Sequence, residues 1–176
     1  HGDTESGVSV IQMAEGLDTG PILGSKKLSL SKRETAQTLI DQMSLIGPTL
    51  LLNVLSQIET GEVCAINQDP SEACYAKKII KSECKINWIE NALNLDRSIR
   101  AFNPDSVMFS EFNRQRVKVW QASSIETSPL TKDVQRAGTI LRANDDGLLI
   151  KCGNGELLIT EMQLPGKVKM LVCEVL

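Results

Sequence analysis

The sequence predicts an α/β front part, a strand hairpin with one long helix, followed by a small β-barrel of oligonucleotide-binding type. Three observations carry that prediction. Alternating apolar residues flank a glycine-rich loop near Asp18, a helical apolar series runs from Leu39 to Ile58, and five short period-two runs lie between Val107 and Met162. The boundaries that follow are residues 1–67 for the front part, 68–85 for a linker and 86–176 for the barrel.

Residues 8–13 and 22–30 alternate as strands, with Val8, Val10 and Met13 before the loop and Ile22, Leu28 and Leu30 after it. Ser31-Lys32-Arg33-Glu34 has the form of a capping box opening the helix. Leu39, Ile40, Met43, Ile46, Leu50 and Val54 then recur at helical spacing. Gly47-Pro48 is expected to kink or divide this helix, and Thr60-Gly61 to end it. Residues 64–76 have no period and contain turn formers, as a linker would. Asn87-Trp88-Ile89-Glu90 is a second capping box, opening a helix that Asn103-Pro104 stops.

The rest reads as strands at 107–112, 116–122, 138–143, 148–151 and 156–162. Turns at Asn113-Arg114, Asp145-Asp146-Gly147 and Gly153-Asn154-Gly155 separate them. Five short strands joined by hairpin turns favour a closed or partly closed barrel.

Composition is that of an ordinary globular chain, with 41% apolar and 23% charged residues, which argues against disorder. No apolar stretch is expected to reach the ~18 residues of a membrane span, and no leader-like segment opens the chain. A soluble, cytoplasmic protein is expected. The five cysteines form no C-x-x-C pair and the only histidine is His1, which points to reduced thiols and no metal site.

Charge divides along the chain. Residues 1–76 hold 4 basic and 10 acidic side chains, whereas residues 77–176 hold 15 and 12. A basic unit beside a catalytic one suits a polyanionic partner. Lys77, Lys78, Lys81 and Lys85 cluster after the linker, and Arg114, Arg116 and Lys118 lie across one hairpin. As groups these would neutralise nucleic-acid phosphates. The bland alternative for each is a solvated face. Of the six aromatics (Tyr75, Trp88, Phe102, Phe109, Phe112, Trp120), most fall in periodic apolar runs and are expected in the core, with base stacking on an exposed one as the alternative.

Asp18, in Glu15-Gly16-Leu17-Asp18-Thr19-Gly20, is the one strong candidate for chemistry. Asp and Gly crowd turns everywhere, so the loop alone reads more readily as a plain hairpin tip. The wider pattern decides between the two. Gly2-Asp3-Thr4-Glu5-Ser6-Gly7-Val8, Gln12-Met13-Ala14-Glu15-Gly16-Leu17-Asp18-Thr19-Gly20, Thr35-Ala36-Gln37-Thr38-Leu39, Gln68-Asp69-Pro70, Tyr75-Ala76-Lys77-Lys78, Ile86-Asn87-Trp88, Ile99-Arg100-Ala101-Phe102-Asn103-Pro104, Val117-Lys118-Val119-Trp120-Gln121-Ala122 and Pro165-Gly166-Lys167 occur in this order. Together they resemble the C-terminal portion of the methionyl-tRNA formyltransferase family.

That resemblance implies the end of a Rossmann-like formyltransferase domain with a parallel sheet, then an oligonucleotide-binding-type barrel. It implies formyl transfer from 10-formyltetrahydrofolate to the amino group of initiator methionyl-tRNA, by an enzyme that is a monomer at full length. The family's site is an Asn, a His and an Asp. The first two belong to an N-x-H-x-S-L-L-P segment that would precede residue 1, His1 lacks that context, and the Asp corresponds to Asp18. The chain alone is therefore expected to be inactive. Gly16, Leu17 and Gly20 would meet the folate, and Lys77, Lys78, Lys81, Arg114, Arg116 and Lys118 the tRNA. Residues 168–176 depart from the family pattern. Two other readings stand beside this one: a stand-alone tRNA- or oligonucleotide-binding module, and a formyltransferase acting on a nucleotide-linked amino sugar.

Overall fold

The computed structural model describes residues 2–125 and 135–175, and the chain divides into two compact units, Asp3–Lys78 and Ile79–Leu176, the latter joined by Gly2.

In the first unit, β1 (Glu5–Ile11) and β2 (Ile22–Ser29) form an antiparallel pair, with Val8 opposite Lys26 and Val10 opposite Gly24. Of the implied parallel sheet the described residues contain only this antiparallel pair. Helix α1 (Ala36–Thr60) packs on it. The approach is close at Gly24, where an added Cβ would lie 2.6 Å from Val54 Cγ2. A glycine there brings strand and helix together.

Helix α1 starts one turn later than the sequence suggests. Ser31 Oγ does donate to Glu34, at 2.6 Å, but this pair closes a turn ahead of the helix. The cap is Thr35, whose Oγ1 accepts from Thr38 N–H at 3.2 Å while Thr38 Oγ1 accepts from Thr35 N–H at 2.9 Å. At the other end Gly61, at φ 73°, closes the helix as predicted. Pro48 does not divide it: the helix is continuous over 25 residues, losing one backbone bond at the proline. Contrary to the sequence expectation, α1 is by length and composition apolar enough to cross a membrane. Among its side chains only Val54 is buried, and Leu45, Leu52 and Leu55 are exposed.

Among the described residues the second unit is a six-stranded antiparallel sheet packed on one α-helix. Helix α2 (Ala92–Phe102) is capped by Asn91, not Asn87, with Asn91 Oδ1 accepting from Leu93 N–H at 2.8 Å. Residues 87–90 form a turn instead, because Asn87 O accepts from Glu90 N–H. Strands β3 (Phe109–Phe112), β4 (Gln115–Ile125), β5 (Ile140–Asn144), β6 (Gly147–Lys151), β7 (Glu156–Gln163) and β8 (Met170–Leu171) follow. Their order is β3-β4-β7-β6-β5. β4 pairs along one edge of β7, while β6 and β8 share the other.

β3 and β5 end this path without pairing to each other among the described residues, so the pairing found is a sheet and not a demonstrated barrel. β4 carries register shifts between Val119 and Ala122. Val117 and Val119 pack inward, and the next core residue is Ala122, three positions on, so an extra residue is accommodated there and the strand bends. The core lies between α2 (Leu95, Ile99) and the sheet (Val119, Ala122, Leu157, Ile159). β8, unforeseen in the sequence, pairs Met170 with Met162, and Val172 after it is buried in this core.

Candidate active-site loop and basic face

The loop between β1 and β2 is closed at its base and open at its tip. Gln12 N–H donates to Pro21 O at 3.0 Å. Gly20 is buried, and a Cβ there would run into Gln12 O, so no other residue fits without moving the backbone. This is a packing reason for glycine, separate from any close approach of a ligand. Gly16, Leu17, Asp18 and Thr19 are exposed.

Asp18 adopts φ 54°, the left-handed region, which Asp tolerates better than most side chains. Its carbonyl and that of Gly20 are both held. Gln68 Nε2 donates to Asp18 O at 2.8 Å and to Gly20 O at 2.6 Å. The segment carrying Gln68 is itself fixed. Ile22 and Ile66 exchange backbone bonds at 2.8 and 2.9 Å, and Asp69 Oδ1 accepts from Ser71 N–H and Oγ, capping the 3-10 turn Pro70–Glu72. Those bonds hold the Asp69 carboxyl below the usual carboxylate range, the serine hydroxyl contributing most. Gln68 stands in a motif already visible in the sequence, but nothing local signalled a bond across fifty residues.

The basic residues fall on both units and are described unit by unit. Lys77 and Lys78 are exposed in the irregular end of the first unit. In the second, Lys81 is exposed in a turn, whereas Lys85 is engaged by Glu111 at 3.0 Å. Asn113 and Arg114, at φ 50° and 63°, form the tight turn between β3 and β4. Arg116 and Lys118 are exposed on one face of β4, opposite Glu111 and Phe109 of β3. The Arg116 guanidinium lies 4.0 Å from the centre of the Phe109 ring.

Trp120 continues that face and is half-buried, with Nε1 donating to Gln163 Oε1 at 3.1 Å and Lys169 Nζ 5.5 Å from its ring. Counting by twos from Arg116 would have put it there. Of the other aromatics, Phe109 is buried, while Tyr75 and Phe112, exposed at 76% and 58%, fall outside the core expected for most of them.

Comparison with known proteins agrees with this layout. Residues 1–55 match the formyl transferase family and residues 78–176 match the formyl transferase C-terminal domain. The methionyl-tRNA formyltransferase of Coxiella burnetii (strain CbuK_Q154) is 40% identical over 166 residues, covering 94% of this chain and 52% of that protein. The chain thus spans about half the length of the curated relatives it matches.

Among solved structures, HypX from Aquifex aeolicus in complex with tetrahydrofolic acid has a TM-score of 0.70 at 18% identity, over 99% of this chain and 30% of that one. The sugar 3N-formyl transferase WlaRD, with dTDP and 5-N-formyl-THF, has a TM-score of 0.67 at 18% identity over 95% of this chain and 57% of that one. Such distant likeness speaks for the fold alone. The two family models fall on both units, and the chain belongs to the formyltransferase family.

Proposed function

We propose that this chain is the C-terminal portion of a methionyl-tRNA formyltransferase, which moves a formyl group from 10-formyltetrahydrofolate to the amino group of initiator methionyl-tRNA in the cytoplasm. The supporting observation is Asp18, presented at an exposed tip within a chain 40% identical to an enzyme of that name. In the reaction the amine nitrogen attacks the formyl carbon, the bond from that carbon to the folate nitrogen breaks, and a proton leaves the amine.

The folate supplies the activated formyl group. Leu17, 77% exposed beside Asp18, offers an apolar surface that suits a flat pteridine ring, and Gly16 leaves the backbone open. Gly20 shapes the loop. Asp18 orients and charges the histidine expected upstream, so that the developing oxyanion meets a protonated donor, and it helps carry the proton away. With the Asn and His outside it, this chain is inactive alone. The matched relatives are about twice its length, and the remainder of the formyltransferase domain is read as covering the exposed side of α1. The second unit is read as an oligonucleotide-binding-type barrel whose basic residues meet tRNA phosphates, in an enzyme monomeric at full length.

Replacing Asp18 with Asn in the protein at its natural full length tests this. Formylation of initiator methionyl-tRNA should fall about 10²–10⁴-fold, the usual weight of a general acid–base group. A loss below about tenfold overturns the assignment. A second reading keeps the formyltransferase chemistry and takes a nucleotide-linked amino sugar as the acceptor. A dTDP-linked amino sugar formylated faster than the charged tRNA would select it. A third, a stand-alone RNA-binding module, would show no preference for initiator tRNA in gel-shift and no formylation.

A further inference from the structure

We propose that Gln68 is a positioning residue for Asp18, setting the backbone conformation from which that carboxylate works; the inference rests on the catalytic reading of Asp18 above. Both protons of the Gln68 amide are used, on Asp18 O at 2.8 Å and Gly20 O at 2.6 Å. Two carbonyl acceptors fix the amide orientation, because the reverse placement would set three oxygens against one another. The clamp therefore straddles Thr19 and pins the carbonyls on both sides of it. Together with the base contact of Gln12 and Pro21, this clamp ties the exposed tip to the rest of its unit.

Asp18 needs such an anchor. Its φ of 54° is uncommon for a residue with a Cβ and persists only when the surroundings hold it. Released, the peptide would relax toward negative φ and carry the carboxylate with it. Displacements of about 1 Å at a catalytic group are enough for losses on the order of 10²-fold. The anchor itself stands on rigid ground. The Ile22–Ile66 bridge lies two residues before it, and the capped turn at Asp69 follows immediately.

The test is a double-mutant cycle in the protein at its natural full length, with formylation of initiator methionyl-tRNA as readout. Gln68→Glu keeps the shape and replaces both donors with acceptors. Gln68→Ala removes them without adding charge and stands in should the glutamate variant fold poorly. Each should lower kcat about 10- to 100-fold while KM for the formyl donor moves less than about threefold. In an Asp18→Asn background the same changes should add almost nothing, because Gln68 acts through Asp18. Amide exchange at residues 16–20 should quicken in Gln68→Ala and stay unchanged in the rest of the unit.

If Asp18→Asn leaves activity intact, the catalytic reading and this inference fall together. If Asp18→Asn is damaging but the Gln68 variants are not, or if the two losses multiply, the inference alone falls.

Discussion

In the unit Asp3–Lys78 the 25-residue helix α1 buries a single side chain, Val54, while in Ile79–Leu176 the 11-residue α2 buries Ala92, Leu95, Asp96 and Ile99. The difference follows from what each helix packs against. α2 lies on a six-stranded sheet that covers its apolar stripe, with Leu157 wholly buried beneath. Among the described residues α1 packs on a two-stranded hairpin, too narrow to cover an apolar surface that extends round much of the helix. Leu45 and Leu52 remain 80% and 67% exposed. Stability is thus concentrated in one unit and the candidate chemistry in the other. An apolar surface of this kind marks a place of contact.

The sharpest way to break that comparison is to replace one leucine in each unit of the isolated chain and follow unfolding in urea. Leu157→Ala should lower the unfolding free energy by about 2–5 kcal/mol, the transfer and cavity loss of a fully buried leucine. Leu52→Gln should stay within about 0.5 kcal/mol, as for a surface change. Equal losses would mean that the outer side of α1 is covered in solution, and the contrast between the units would collapse.

A smaller effect separates the units by their thiols. Cys64 and Cys74 of the first unit are exposed, whereas the second unit buries Cys84 and Cys152 and exposes Cys173. Burial pushes the Cys152 thiol up from 9.0 to about 11. The unfolded chain therefore loses this proton first as pH rises, so the stability linked to Cys152 is intact below pH 9.0 and is lost toward about 11. Thermal melting across pH 8 to 10.5 should fall less steeply in Cys152→Ala than in the parent. Parallel curves would show that this thiol is not what couples folding to alkaline pH.

What the sequence made legible follows the same division. In the second unit, period-two alternation located five strands to within a few residues, and Asn113-Arg114 marked its turn, because strand faces there are decided by a core within the unit. In the first, the apolar series of α1 correctly forecast a helix but not its exposure, since burial depends on what lies against it. Helix starts slipped by one turn at both Ser31 and Asn87. Each is followed four residues later by a second capping residue, Thr35 and Asn91, and sequence cannot choose between adjacent caps. At the site, Asp18 was legible through its motif. The clamp by Gln68 was not, because a bond spanning fifty residues leaves no periodic trace.

The finest comparison sets the lysines flanking the unit boundary against the basic strand face. Lys77, Lys78 and Lys81 are exposed, whereas Arg116 already leans on Phe109 and Lys85 is drawn to Glu111. Mobile exposed ammonium groups pay little to follow a phosphate backbone, and each bound phosphate releases counterions. Replacing Lys77, Lys78 and Lys81 by Ala in the full-length protein should therefore flatten the dependence of log affinity for tRNA on log salt by up to about one unit per lysine, with little change in thermal stability. Replacing Arg116 should lower affinity and also loosen the β3–β4 face, because its guanidinium packs on an aromatic ring as well as carrying charge. An unchanged salt slope in the triple variant would move the proposed tRNA contact to the strand face alone, with Arg114, Arg116, Lys118 and Lys169 as its cations.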